Sequence, residues 1–378
     1  MYKKVLCILL TVTVLAAGMY YYAPSPVSAE DETLHLSLDE AIEMAMEENA
    51  EINLARVGVE KAKTNLRKVN RRADNLEDAR DAGASFRQIG ISSYDYALST
   101  RVAPRSAEME LLLAERGLEA TKRGIKISVE NAYYDVLKAE GERENVKGAL
   151  RRAEEHLRLA EVGYEVGSAA RLEIINAEVN LAGKKAAVTA AENAYKASIM
   201  DFNNVIGLPL DEKVNLTSSF EFEPAEIELS AVIEEAKEYD ISYLAAQEGK
   251  AVAEKVFEVA SGHYTPNVFT YREAEYDYEE AKMEADQAEK ELELNVNKAY
   301  LNLKSAEERY NTVEKSVKQA EESYRLTKLR YEVGMSTQLE MEDAGGNHDE
   351  AKAELLNALY DYNLMKAQFK HAVFGGGI

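Results

Sequence analysis

The chain has 378 residues, 68 Asp and Glu against 45 Lys and Arg, a net charge of −23 and a single cysteine. That acidic balance argues against nucleic acid or an anionic membrane as partner, and a solvated helical surface accounts for most of it. The cysteine is Cys7, so residues 30–378 have no disulfide framework.

Residues 1–29 read as an export signal. Lys3 and Lys4 precede an apolar run from Val5 to Ala17, and Val27-Ser28-Ala29 offers a small-residue cleavage site before Glu30. The run is short for a bilayer span; an uncleaved membrane anchor is the alternative reading. Cys7 sits inside the run rather than behind it, which speaks against lipid attachment. Cleavage removes two lysines and no acid, leaving an exported, cysteine-free and still more acidic protein that suits a bacterial envelope.

Residues 37–82 read as helical and 83–105 ("GASFRQIGISSYDYALSTRVAPR") as a non-helical interruption. A heptad seam follows: Ile125, Val129, Ala132, Val136, Ala139, Arg143, Val146, Leu150, Ala153, Leu157, Ala160, Tyr164, with Arg143 its one charged member. A 3.5-residue period held this long predicts a left-handed coiled coil, and the many alanines predict close helix approach. The seam ends in "YEVGSAARLEIINA" (164–177), where Gly167 stands where a helix C-terminus favours a left-handed residue. Residues 168–206 return as a second helix, so the chain reverses near 164–170. Between 207 and 229 a turn and an alternating run, Val214 to Phe222, predict a short strand or two.

The plan then starts again. Residues 229–261 read as helical, 261–271 ("SGHYTPNVFTY") as an interruption, and Glu275 to Val333 contains neither glycine nor proline over 59 residues. A helix of that length runs about 88 Å. Its seam steps through Leu292, Val296, Ala299, Leu303, Ala306, Tyr310, Val313, Val317, Ala320, Tyr324, Thr327 and Tyr331, and ends in "YEVGMSTQLEMEDA" (331–344). Residues 158–177 and 325–344 match at nine of twenty positions without a gap. The openings, "LSLDEAIEMAMEENAEI" (36–52) and "IELSAVIEEAKEYDI" (227–241), also correspond. This is an internal duplication. The expected fold is mainly α, two tandem repeats of long antiparallel coiled-coil hairpins with few short strands. Its parts are a first repeat over 30–210, a linker over 211–228, and a second repeat over 229–378 with its tip near 331–337.

Helix, interruption, long helix, glycine tip and returning helix, twice over, resemble the TolC-like outer-membrane efflux protein family. The tips "RLAEVGYEVGSAARLEIINAEVNLA" (158–182) and "RLTKLRYEVGMSTQLEMEDA" (325–344) are similar to its tip pattern, and "AYKASIMDFNNVIGLPL" (194–210) to its end-of-repeat signature. "YTPNVF" (264–269) is similar to the point where its strands begin. The resemblance implies a TolC-like α-barrel protomer, a homotrimer forming a hollow conduit, and tips that dock an adaptor and an inner-membrane transporter. It also implies four membrane strands per chain. A spanning strand needs about 9–11 residues; the second interruption is too short for two, and Arg87, Asp95, Arg101 and Arg105 spoil the lipid-facing alternation of the first. The expected barrel is therefore reduced or missing, which puts outer-membrane insertion in doubt. A coiled-coil scaffold or spacer of the envelope is the alternative function.

By the resemblance, carboxylates after the tip constrict the channel entrance; the matching positions are Glu340, Asp343 and, in the first repeat, Glu173. A spacing of three puts Glu340 and Asp343 on one helical face. Thr337-x-x-Glu340 is also a capping box, which offers Glu340 a purely structural role. Ala170 occupies the matching first-repeat position, so the box is not expected for Glu173, and Ser168 is the alternative cap there. Val166, Gly167, Arg330, Val333 and Gly334 match the family's adaptor-contact tip, with turn geometry as the plainer role of the glycines. Gly163 replaces the arginine in the first repeat. Gly345, Gly346 and His348, the last in place of Leu181, suggest a looser second tip.

Nothing points to an enzyme. The histidines at 35, 156, 263, 348 and 371 show no metal-ligand spacing, and no phosphate loop or nucleophile motif occurs. No cofactor is expected. Tyr271, Tyr276 and Tyr278 read as packing near a helix start, with a membrane-interface belt as the lesser alternative.

Overall fold

The structure, a computed structural model, describes residues 33–47, 49–167, 169–219 and 221–372. The export signal expected over 1–29 and the capping alternative Ser168 lie outside them. In chain order the elements are β1 (Leu34–Leu36), α1 (Leu38–Glu47), α2 (Ala50–Asp81), α3 (Phe86–Ile89), α4 (Ser93–Ala97), a π turn (Leu98–Val102), α5 (Ala103–Glu165) and α6 (Arg171–Ile206). After these come β2 (Val214–Leu216), α7 (Leu229–Tyr239), α8 (Ile241–His263), α9 (Phe269–Glu332) and α10 (Gln338–Ala372). The two long helices, α5 with 63 residues and α9 with 64, bear out the heptad reading. Each spans about 95 Å.

The helices predicted over 37–82 and 229–261 are each broken once. Asn49 caps α2, its Oδ1 accepting from the Glu51 and Ile52 amides at 2.8 and 3.2 Å; Asp240 caps α8 by accepting from the Tyr243 amide at 2.7 Å. The two caps fall at corresponding places in the duplicated openings. Each short helix before its cap, α1 or α7, thereby folds back to bury Ala45 or Ala236 against its own hairpin.

The first interruption is a correction. Only two short turns, at 82–85 and 90–92, depart from helix; Ser85 and Gln88 box α3, and Ser92 caps α4. From Ser93 the chain runs helically into α5 through the π turn. Pro104 has no N–H to donate and its ring crowds the carbonyl four residues back, so the ladder shifts to a wider turn, in which the Ala103 amide donates to the Leu98 carbonyl. The second interruption shrinks to 264–268. Neither holds a strand among the described residues, and no described helix is long and apolar enough to cross a membrane.

At mid-height β1 and β2 pair in parallel, Leu34 opposite Val214 and Leu36 opposite Leu216. The strand expected over Val214–Phe222 is thus three residues long. It is tied to α5 by Tyr133, fully buried, whose hydroxyl donates to the Leu36 carbonyl (3.2 Å) and accepts from the Ser218 amide (2.9 Å). One core cluster gathers Val129, Tyr133, Val136 and Phe202 of the first repeat; another gathers Leu292, Val296, Leu303 and Tyr362 of the second. Toward the tips the helices lie side by side as α6–α5–α10–α9; toward the opposite end the order is α2–α5–α8–α9. In both halves α9 forms one edge of the layer, and α6 or α2 the other.

Candidate functional site: the two hairpin tips

Gly334 has φ +74° and Gly167 φ +76°, in the left-handed region that favours glycine. At the second tip the Gly334 amide donates to the Tyr331 carbonyl (2.9 Å) and the Met335 amide to that of Arg330 (2.7 Å), a complete Schellman motif. At the first, the Gly167 amide donates to Tyr164 and the Ala169 amide to Gly163, both at 3.0 Å. The next helix starts at once, so each hairpin reverses within a few residues.

The carboxylates divide. Glu340 Oε2 accepts from the Thr337 amide (2.8 Å) and the Ser336 hydroxyl (2.7 Å), while Thr337 Oγ1 accepts from the Glu340 amide (3.2 Å). These hydrogen bonds, the Thr337 amide first, hold the Glu340 carboxyl below the usual carboxylate range. The capping box is therefore real. Glu173 departs from expectation: Ala170 has no side-chain acceptor, yet Glu173 Oε1 reaches back to the Ala170 amide at 3.5 Å, a weak half of the same box. Glu173 also faces Tyr331 across the hairpins, where burial first, and then Glu173 and Glu342, push the tyrosine hydroxyl pKa up. Asp343 is exposed and makes no hydrogen bond or ion pair among the described residues. The expected pair of stacked carboxylates is thus one committed cap and one free charge.

Arg330 is exposed, and its Nη2 donates to the Met335 carbonyl at 3.2 Å, bracing the turn it precedes. Val166 (73 %), Val333 (69 %) and Met335 (69 %) point into solvent at the extreme ends of the hairpins. Bare apolar side chains on a rigid turn suit a protein partner.

About two to three helical turns above the tips lies a cluster that sequence reasoning saw only in part. His156 of α5 and His348 of α10 are both buried, and none of their four ring nitrogens has a hydrogen-bond partner among the described residues. Tyr324 of α9 stacks on His348 (5.9 Å, 14°), and Gly345 leaves room for that ring, since a Cβ there would lie 3.3 Å from it. Gly345 is a packing position, and α10 runs unbroken through it and Gly346. Arg152 of α5 pairs with Asp349 of α10, joining the two repeats. Burial, then Arg152 and Lys328, hold His156 below the ordinary imidazole range; burial, then Lys352 and Arg152, do so for His348. Arg143, the charged seam residue, lies over the Tyr195 ring at 4.2 Å and pairs with Glu140 and Glu144. Among the described residues no group of His, Cys, Asp and Glu is placed to hold a metal.

Two tandem hairpins of this length, laid side by side with α5 of the first against α8 and α10 of the second, define an α-barrel-type protomer. The outer membrane efflux protein family matches residues 93–208 and 267–372, more than half of the chain, and the chain belongs to that family. It is 26% identical over 181 residues to the outer membrane protein TolC of Vibrio cholerae, covering 48% of this chain and 41% of that one. The match therefore spans about two fifths of that relative's length. Among solved structures the fold resembles the outer membrane protein VceC of Vibrio cholerae (TM-score 0.68, 17% identity, 90% of this chain and 96% of that one). It also resembles the CmeC outer membrane channel of Campylobacter jejuni (TM-score 0.62, 14% identity, 90% and 86%). At these identities the structures establish the fold.

Proposed function

We propose that the mature chain is the conduit subunit of an envelope export assembly, three copies forming a hollow helical cylinder whose tips dock an adaptor and an inner-membrane transporter. The observation that carries this reading is the layer α6–α5–α10–α9, one helix thick with two uncovered edges, an arrangement that suits a segment of a barrel wall. Exposed Val166, Val333 and Met335 support docking at the tips. Asp343, free and exposed behind the second tip, is the residue suited to an acidic ring that favours cations. The test is projection imaging of the purified mature protein together with its mass by light scattering. A hollow cylinder at three times the chain mass, conducting ions in planar bilayers, is expected.

The second reading, an envelope scaffold without conduction, is favoured by one observation: the interruptions hold turns and short helices rather than strands among the described residues. A monomer or dimer without conductance would select it.

A further inference from the structure

Beside His156 lies a cavity of about 210 Å³. Helix α5 lines it with Gly148, Arg151, Arg152 and His156, and α9 with Tyr324 and Lys328, so the two repeats share its wall. The charge of this wall is opposite to that of the chain. The protein carries −23, yet three cations face the cavity against one acid, Glu155. That acid is already engaged, accepting from Arg158 at 2.7 and 2.8 Å. Arg152 gives its Nη2 to Asp349 and keeps Nη1 free of that bond. Arg151 and Lys328 make no ion pair or hydrogen bond among the described residues.

The two arginines converge instead of spreading apart. A Cβ placed on Gly148 would lie 3.6 Å from Arg152 Nη1 and 3.7 Å from Arg151 Nη2, so both guanidiniums fold back over one bare stretch of helix. Like charges held this near repel, and burial first, then Arg151, lower the Arg152 pKa. Against them sits His156, only 6 % exposed, with neither ring nitrogen bonded among the described residues. Every tautomer of that ring carries an N–H, and a buried donor left unpaired is costly. Free cations and an unsatisfied donor therefore share one small space.

We infer that this cavity binds a small oxyanion of the phosphate class, held by Arg151, Arg152 Nη1 and Lys328 with His156 as the buried donor beneath them. Guanidinium and ammonium donors make their strongest hydrogen bonds to such oxygens. The anion would offset the repulsion between the arginines and give the imidazole an acceptor. Size decides the class of ligand: the cavity falls below the roughly 300–1,000 Å³ of sites for drug-sized molecules, so it suits an ion and not a bulky solute. Two ligands come from the first repeat and one from the second, so an occupied site ties α5 to α9 above the tips. The inference concerns a single chain and holds whether or not the chain is a conduit.

The test is isothermal titration of the full mature chain with inorganic phosphate, at an ionic strength held constant with chloride. Saturable binding of one phosphate per chain is expected, with a Kd of about 1 mM or tighter. Arg151→Ala and Lys328→Ala should each weaken it about tenfold, and His156→Leu by a smaller factor. Neither Arg151 nor Lys328 is paired within the chain, so both alanine variants should melt with wild type in chloride. Phosphate should also slow amide exchange around 148–156 of α5 and 324–328 of α9 together, which a loosely associated ion would not do. Glycerol phosphate binding as well as phosphate assigns the site to an esterified phosphate, and phosphate alone to the free ion; either supports the site. No saturable binding at millimolar phosphate overturns it. So does binding that both alanine variants keep at wild-type strength.

Discussion

The two tips share the letters Tyr-Glu-Val-Gly and a left-handed glycine, yet they are built differently behind the turn. Behind the second turn Arg330 braces the Met335 carbonyl and Thr337 with Glu340 makes a full capping box. The first tip has Gly163 in place of that arginine and Ala170 in place of that threonine, so at these positions only the reach-back arm of the box, from Glu173, is present among the described residues. The backbone reversal is what both copies keep; the side chains at 163 and 330, and at 170 and 337, are what have diverged. A partner meeting both tips would find matching apolar residues, Val166 and Val333, on differently built supports.

The strongest way to break this comparison is at the feature the tips share. Gly167→Val and Gly334→Val each force a β-branched residue into the left-handed region, at a cost of roughly 1–2 kcal/mol or more. Similar losses should appear in both, as a lowered thermal midpoint and faster amide exchange in the flanking turns. A large loss at one glycine and none at the other would mean that the conserved backbone is not the common element. Neither site has a neighbour within 4 Å of an added Cβ, so the effect isolates conformation from crowding.

Acidification should act next, and above the tips rather than on them. His156 and His348 are held below the ordinary imidazole value of 6.5, so below that pH the unfolded chain binds more protons than the folded one. Their contribution is intact above pH 6.5 and declines as pH falls toward the folded-state values. Protonation would place two more cations beside Arg152, Lys328 and Lys352, with Glu155, Glu321 and Asp349 as the opposing charges. His348→Leu, which restores the residue type of position 181, should flatten part of the pH dependence of the melting temperature between 7 and 5. An unchanged slope in that variant would place the sensitivity elsewhere.

Much of this architecture was legible in the sequence, because it is periodic. Heptads at 3.5-residue spacing fixed α5 and α9, the glycines fixed the turns, and the duplication let each repeat check the other. What was missed is local and short-ranged. Asn49 and Asp240 are ordinary helix-start residues, but amid continuous helical pattern their capping role shows only when the two openings are aligned. The run from Gly83 to Arg105 has glycines and β-formers enough to suggest strands, yet serine caps and Pro104 turn it into short helices and a π turn. His156 sits one position from seam residue Leu157 and carried no signal of its own. Its meaning comes from His348 on a different repeat, and no periodicity relates them.

Smaller effects separate the tips from one another. Thr337→Ala removes an N-cap and should cost about 1 kcal/mol, whereas Ala170→Thr in the first repeat should gain a few tenths by completing the box that Glu173 half makes. Differential scanning calorimetry of the two variants against wild type would show shifts of opposite sign. Equal, negligible shifts would mean the tips fray regardless of their caps.

The least visible substitution for stability is the most pointed for function. Asp343→Asn removes a charge that touches nothing among the described residues, so the melting temperature should stay within error of wild type. Glu340→Gln keeps an acceptor for the Thr337 amide but loses the charge that strengthens that bond, so a small loss of stability belongs to it and not to Asp343→Asn. Conductance inverts the order. If three copies ring the entrance with Asp343, its neutralisation lowers the preference for cations over anions in planar bilayers, while Glu340, already engaged at the helix start, changes selectivity less. Equal selectivity changes from both would show that the capping carboxylate still faces the ion path. A selectivity unmoved by Asp343→Asn would remove the acidic ring from the second tip and leave its carboxylates with structural work alone.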